Sequence, residues 1–315
     1  MKRKTMRQLT ALIIAVLLIC PAAGCRTNPP EEAKGANVSA EVKKNARVSY
    51  LGPEGTYTEE AAQFFFPGAG AMLPEASVPQ AIADVAEGKA DYAVIPQENT
   101  LGGATINYID ALLAEQDVYV AGEVILPISQ TLMGVPGASL EDIQVVCSHA
   151  QGIVQSAEWR KEHLPDAEAR EMDSTAAAAS YVAETGDKTI AAVAAPGAAK
   201  LYGLEVLAKN VQITDANKTR FYVISSDPGT GDGHTRAVFE AVCEANRIDD
   251  IIIEIHNAGL ELVTIHDRPE GSRLGYYRYI IEVEKTAGIP KKTLENIGKI
   301  PEVRCLGSFE SVEKK

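Results

Sequence analysis

The polar residues best suited to chemistry fall in short strings, each at the edge of an apolar run. Glu98-Asn99 follow Tyr92-Ala93-Val94-Ile95, and Ser148 and Gln151 follow Val145-Val146-Cys147. Ser174-Thr175 open an alanine-rich stretch, Thr56 precedes an apolar helical face, and Thr219-Arg220-Phe221 lead into Tyr222-Val223-Ile224. A carboxylate such as Glu98, set near an anionic substrate, gains a raised pKa and can act as an acid. It can equally orient a donor, or be an ordinary solvated loop glutamate. The Thr219 hydroxyl is far too weak an acid to give up a free proton, so its chemistry is hydrogen-bond donation; the plain alternative is a threonine chosen for strand propensity. Arg220 has the fork geometry to grip a carboxylate, or else to hold the fold by a salt bridge. Both readings stay open, with one constraint: in a regular strand Thr219 and Arg220 point to opposite faces. Ser148 with Gln151, and Ser174 with Thr175, sit where helices begin, and free backbone N–H groups there attract carboxylates. Plain N-capping explains Thr56 and Ser174 as well, and is compatible with binding.

Other chemistries are excluded. His149 has no serine and acid arranged around it as a triad, which argues against a hydrolase. Gly102-Gly103 is too short for a phosphate loop. Cys147, Cys243 and Cys305 are far apart in apolar contexts and read as buried free thiols, with one disulfide open if the chain is exported; no spacing resembles a metal site.

Strand and helix patterns alternate from Arg47 onward, which predicts an α/β fold with a mostly parallel sheet and a site at the carboxyl ends of strands. Thr56/Glu59 and Ser77/Gln80 are capping-box spacings. The stretch Ser226-Asp227-Pro228-Gly229, continuing through Gly231 and Gly233, reads as a linker. Beyond it the order βαββαβ is ferredoxin-like.

Five strings, in order, resemble the prephenate dehydratase family. They are Gly52-Pro53-Glu54-Gly55-Thr56-Tyr57-Thr58, Pro96-Gln97-Glu98-Asn99-Thr100, Ser148-His149-Ala150-Gln151, Asp173-Ser174-Thr175-Ala176 and Asn217-Lys218-Thr219-Arg220-Phe221. The resemblance spans 47–226 and continues, more weakly, into an ACT-like unit at 234–311. Gln97, Thr100, Ala150 and Gln130 depart from the family pattern. The resemblance implies a two-lobed α/β domain like that of type II periplasmic binding proteins, followed by a ferredoxin-like ACT domain. It implies decarboxylating dehydration of prephenate to phenylpyruvate in L-phenylalanine biosynthesis, driven by aromatisation, with no cofactor or metal. It carries over Thr219 as donor to the departing hydroxyl, with Glu98 and Asn99 as catalytic residues. Thr56, Ser148, Gln151, Ser174, Thr175, Arg220 and Phe221 become the substrate-binding set. Arg268 and Pro269, in Ile265-His266-Asp267-Arg268-Pro269, match a regulatory string. Asn246-Arg247-Ile248 stands where the family has Gly-Ala-Leu, so weak or absent response to L-phenylalanine is expected. A homo-oligomer is a further expectation of the resemblance. The alternative function is a non-catalytic exported ligand-binding lipoprotein on the same two-lobed fold.

The chain begins with a basic stretch, an uncharged apolar run from Leu9 to Ile19, and Pro21-Ala22-Ala23-Gly24-Cys25. This order predicts a signal peptide over 1–24, lipidation at Cys25 and a flexible tether over 25–46. Localisation is then exported and membrane-anchored through lipid, or cytoplasmic if the leader is not used. The formal charge of −13 becomes −17 once Lys2, Arg3, Lys4 and Arg7 leave with the leader. Such a body repels nucleic acid, and it requires locally positive ground to hold an anionic metabolite.

Overall fold

The computed structural model describes residues 45–229 and 231–314; the leader, Cys25 and most of the tether lie outside the described residues. The first lobe is built from β1 (Arg47–Leu51), α1 (Tyr57–Phe65), β2 (Ala71–Glu75), α2 (Val78–Ala86), β3 (Tyr92–Asn99), β4 (Gly103–Ala104), α3 (Ile106–Ala114) and β5 (Tyr119–Pro127). The second lobe holds β6 (Thr131–Gly134), β7 (Val145–Ser148), α4 (Ala150–Gln155), α5 (Ala157–His163), β8 (Glu168–Glu171), α6 (Thr175–Thr185), β9 (Ile190–Ala194), α7 (Pro196–Tyr202) and β10 (Glu205–Lys209). The chain then returns to the first lobe as β11 (Lys218–Ser225). Two crossings therefore join the lobes, and they are bonded to each other. Ile128 N donates to Asn217 O, Val211 N to Gln130 O, and Ser129 Oγ to Asn210 Oδ1.

Capping follows the predicted pattern only by half. Thr56 Oγ1 accepts from Glu59 N and Ser77 Oγ from Gln80 N, both at 3.3 Å. The return bonds go elsewhere: Glu59 Oε2 takes Gly55 N, and Gln80 Nε2 reaches Asp84. α4 and α5 are separated at Ser156, whose Oγ bonds back to Gly152 O at 2.8 Å, a contact that bends helices.

The first sheet runs from β16 (Ser311–Glu313) through β5-β11-β3-β1-β2, with β4 on β3, and the second β10-β6-β9-β7-β8. The first is mixed rather than mostly parallel, because β11 enters from the other lobe and pairs antiparallel with both β3 and β5. The consequence for the site is direct: the start of β11 lies beside the end of β3. One face of this sheet packs under α1 through Val94, Phe221 and Val223. The other carries Ile95, Tyr222 and Ile224 into a second core.

That second core includes Val238, Ile280, Leu306 and Phe309 from the C-terminal unit. The unit comprises β12 (Arg236–Glu244), α8 (Ile248–Asn257), β13 (Glu261–Pro269), β14 (Tyr276–Glu284), α9 (Lys291–Ile297) and β15 (Val303–Phe309), in sheet order β13-β14-β12-β15. This is the expected βαββαβ arrangement. The chain does not stop with it: β16 (Ser311–Glu313) joins the first lobe's sheet, parallel to β5. β15 also crosses close over β5. At Gly307 (φ +133°) a Cβ would lie 2.2 Å from Val120 O, so only glycine fits there.

Candidate active site

Asn99 and Thr219 are cross-strand partners on β3 and β11. Asn99 Nδ2 donates to Thr219 Oγ1 at 2.9 Å and to Asn217 Oδ1 at 2.7 Å. The amide has only one workable orientation. Its oxygen accepts from Leu101 N and Gly102 N, both at 3.0 Å, which can only donate, so its nitrogen must face Thr219. Thr219 Oγ1 is thereby an acceptor toward Asn99, and its own proton is free to point elsewhere. Gln151 completes the group from the second lobe: its Nε2 lies 3.3 Å from Asn99 Oδ1. Gln151 rides on α4, whose other end is tied to the lobe crossings through Gln130 Nε2–Gln155 Oε1 (3.0 Å) and Ile213 N–Gln155 O (2.8 Å). Asn99, Thr219 and Gln151 thus meet in one hydrogen-bonded group.

The strands place the other expected residues differently. Glu98 and Asn99 do not follow β3 but end it, and Thr219 and Arg220 lie inside β11, so within each of these neighbouring pairs the two side chains face opposite sides. Glu98 and Arg220 pair with each other at 3.1 Å, on the far face from Thr219. Arg220 is occupied there, with Nε on Glu123 Oε1 at 2.7 Å and Nη2 on both Glu123 and Glu282. Of its two open readings the salt bridge is the one realised. A role for Glu98 as acid toward a substrate at Thr219 is corrected for the same reason. Burial pushes the Glu123 carboxyl up, against the pull of Arg220. The Arg220 guanidinium, which burial alone would destabilise, is held charged by Glu123 and Glu282.

Phe221 is 1% exposed within the core under α1, so it packs rather than contacts a substrate. Ser148 is fully buried, and its hydroxyl is spent on Val193 O at 2.7 Å. It walls the first turn of α4, where a Cβ on Gly152 would meet Ser148 Oγ at 2.2 Å and Thr175 Cγ2 at 3.6 Å. Ser174 caps α6 by accepting from Ala177 N, leaving Thr175 half-buried at the helix's first position beside α4. Thr56 caps α1 and makes no hydrogen bond to the Asn99–Thr219 pair. His149 caps α4 through Nδ1. In the C-terminal unit Arg268 forms a two-point pair with Asp110 on α3, at 2.6 and 3.0 Å, and Pro269 ends β13. Cys147, Cys243 and Cys305 are free thiols.

Asn217 was not anticipated as a site residue. It is 1% exposed and holds the Asn99 amide. Its place two residues before Thr219 was the available signal. Glu123 and Glu282 were also missed, since each stands between apolar or small neighbours within a strand.

A family model described as prephenate dehydratase matches residues 48–229. A prephenate dehydratase of Lactococcus lactis is 32% identical over 275 residues, covering 84% of this chain and 97% of the relative. Among solved structures, prephenate dehydratase of Arthrobacter aurescens in complex with L-Phe matches at TM-score 0.75 and 30% identity, over 85% of this chain and 90% of that one. A structure described as a new type of quorum-quenching acylase matches at TM-score 0.74 and 25% identity, over 84% and 97% respectively. The fold therefore carries more than one named activity, and residues rather than topology must decide.

Proposed function

The chain belongs to the prephenate dehydratase family, and we propose that the Asn99–Thr219–Gln151 group is where it carries out that family's reaction. The reaction is the loss of carbon dioxide and hydroxide from prephenate to give phenylpyruvate. The bond from the ring to its carboxylate breaks, its electron pair enters the ring, and the ring's carbon–oxygen bond breaks with aromatisation. The departing oxygen takes up one proton and leaves as water. What the protein can supply is a donor aimed at that oxygen, where charge develops.

The observation that supports the reading is the forced orientation of the Asn99 amide, which makes Thr219 an acceptor toward Asn99 and leaves its proton free to be donated to a substrate. Gln151 brings the second lobe to the same point. With Arg220 committed to carboxylates, positive potential for the substrate's anions falls to backbone N–H groups at the start of α6, around Thr175. The test is phenylpyruvate formation from prephenate by the purified protein beside Thr219→Val. Prephenate bound but not turned over would favour the receptor alternative.

The C-terminal unit we read as ACT-like. The Arthrobacter aurescens relative is in complex with L-Phe. In this chain Arg247, in place of the small residues the family pattern has there, is paired with Asp250, Glu254 and Glu302 and lines a cavity of about 380 Å³ with Arg273 and Tyr276. A charged network in that position supports weak or absent inhibition by L-phenylalanine; tight cooperative binding by calorimetry would contradict it. Export, lipidation at Cys25 and homo-oligomerisation belong to the same proposal. The first two rest on the leader's residue order, and mass spectrometry of the mature N-terminus tests them.

A further inference from the structure

The two strands that carry Asn99 and Thr219 are joined a second time, one residue along, on their opposite face. Asn99 meets Thr219 on the cleft side, and Glu98 meets Arg220 on the other. Arg220 is 15% exposed, and it is held by two fully buried carboxylates, Glu123 of β5 and Glu282 of β14. Glu282 comes from the C-terminal unit. Its own position is set by Tyr222 Oη, which donates to Oε2 at 2.6 Å, and by Arg236 Nη1, at 2.6 Å from Oε1. Tyr222 is two residues from Arg220 on the same face of β11, so Glu282 grips that strand at two points.

We propose that Glu282 is a positioning residue supplied by the C-terminal unit, which holds β11 in the placement that brings Thr219 to Asn99. The inference rests on Thr219 being the donor in turnover. A side chain buried against two successive inward positions of one strand restrains that strand's displacement and twist, and Thr219 lies between the restraint and the lobe crossing. Small displacements of a reacting group carry large rate effects, whereas Gln151 and Thr175, which would hold the rest of the substrate, lie on α4 and α6.

The experiment compares the full-length protein with Glu282→Gln, each with Thr219 and with Thr219→Ala. Glu282→Gln is expected to lower kcat roughly tenfold or more, with KM within about threefold. In the Thr219→Ala background it should lower the residual rate no further. Amide hydrogen exchange should quicken in 96–101 and 217–221 and stay unchanged in 145–148 of the second lobe. Equal losses in both backgrounds would mean a general loss of folded protein, and would overturn the inference. So would an unchanged kcat. If Glu282→Gln does not fold, Tyr222→Phe removes only one of its anchors and should give a smaller kcat loss with KM held; no loss would again overturn it. If the unmodified protein does not turn prephenate over, the functional reading fails, and the exchange pattern decides the positioning role by itself.

Discussion

Replacing Thr219 by valine separates catalysis from stability, because the structure gives the two quantities different sizes. Valine keeps the side-chain shape and suits a strand. The deleted hydroxyl accepts one bond, from Asn99 Nδ2, and that nitrogen retains Asn217 Oδ1 at 2.7 Å and Lys218 O at 3.3 Å. No buried donor is orphaned, so the stability cost is that of one ordinary hydrogen bond, about 1 kcal/mol. The rate, by contrast, loses a donor aimed at a departing oxygen, which is worth about 10²–10³-fold, or about 2.7–4 kcal/mol. The assay is phenylpyruvate formation beside urea unfolding of the same preparations, and Thr219→Ser should restore most of the rate. A Thr219→Val protein that is equally stable and within about threefold of the parent rate would refute the assignment of Thr219 as donor.

Further expectations follow from the same geometry. Asn99→Asp replaces the donor facing Thr219 by an acceptor and sets a carboxylate oxygen against Asn217 Oδ1 and Lys218 O, so kcat should fall about 10²-fold and the urea midpoint should fall with it. Gly307→Ala should destabilise by about 1–3 kcal/mol, since φ is +133° and Val120 O occupies the Cβ position; thermal unfolding reads this. Arg268→Ala removes a largely solvent-screened pair with Asp110, so stability should shift by less than about 1 kcal/mol and basal turnover not at all. Burial lowers the pKa of His266 below 6.5. As pH falls through that value the unfolded chain takes the proton first, so stability present above it is lost downward. His266→Gln should flatten the decline in unfolding free energy as pH falls through about 6.5.

The sequence made the ordering of strands and helices legible wherever a run was apolar. What escaped were β2, β8, β10 and β16, which lie at sheet edges, the two-residue β4, and the short interior β6 with its Gly134. An edge strand is covered on fewer sides, so its residues need not be apolar: Pro74 sits in β2, and β8 reads Glu-Ala-Arg-Glu. The site was half legible. The opposite facing of Thr219 and Arg220 follows from strand geometry alone, and the place of Gln151 at a helix start follows from its position just after an apolar strand run. That Arg220 is committed elsewhere does not, because its partners Glu123 and Glu282 lie 97 and 62 residues away. The antiparallel return of β11, which puts its beginning rather than its end at the cleft, likewise depends on the chain having passed through a second lobe.

The most direct test is to give the purified full-length protein prephenate labelled in its ring carboxylate, and to measure labelled carbon dioxide and phenylpyruvate together. Equimolar release of both, lost in Thr219→Val, is the expected result. Prephenate that binds and is recovered intact would contradict the assignment, and would make the cleft a receptor for the same acid.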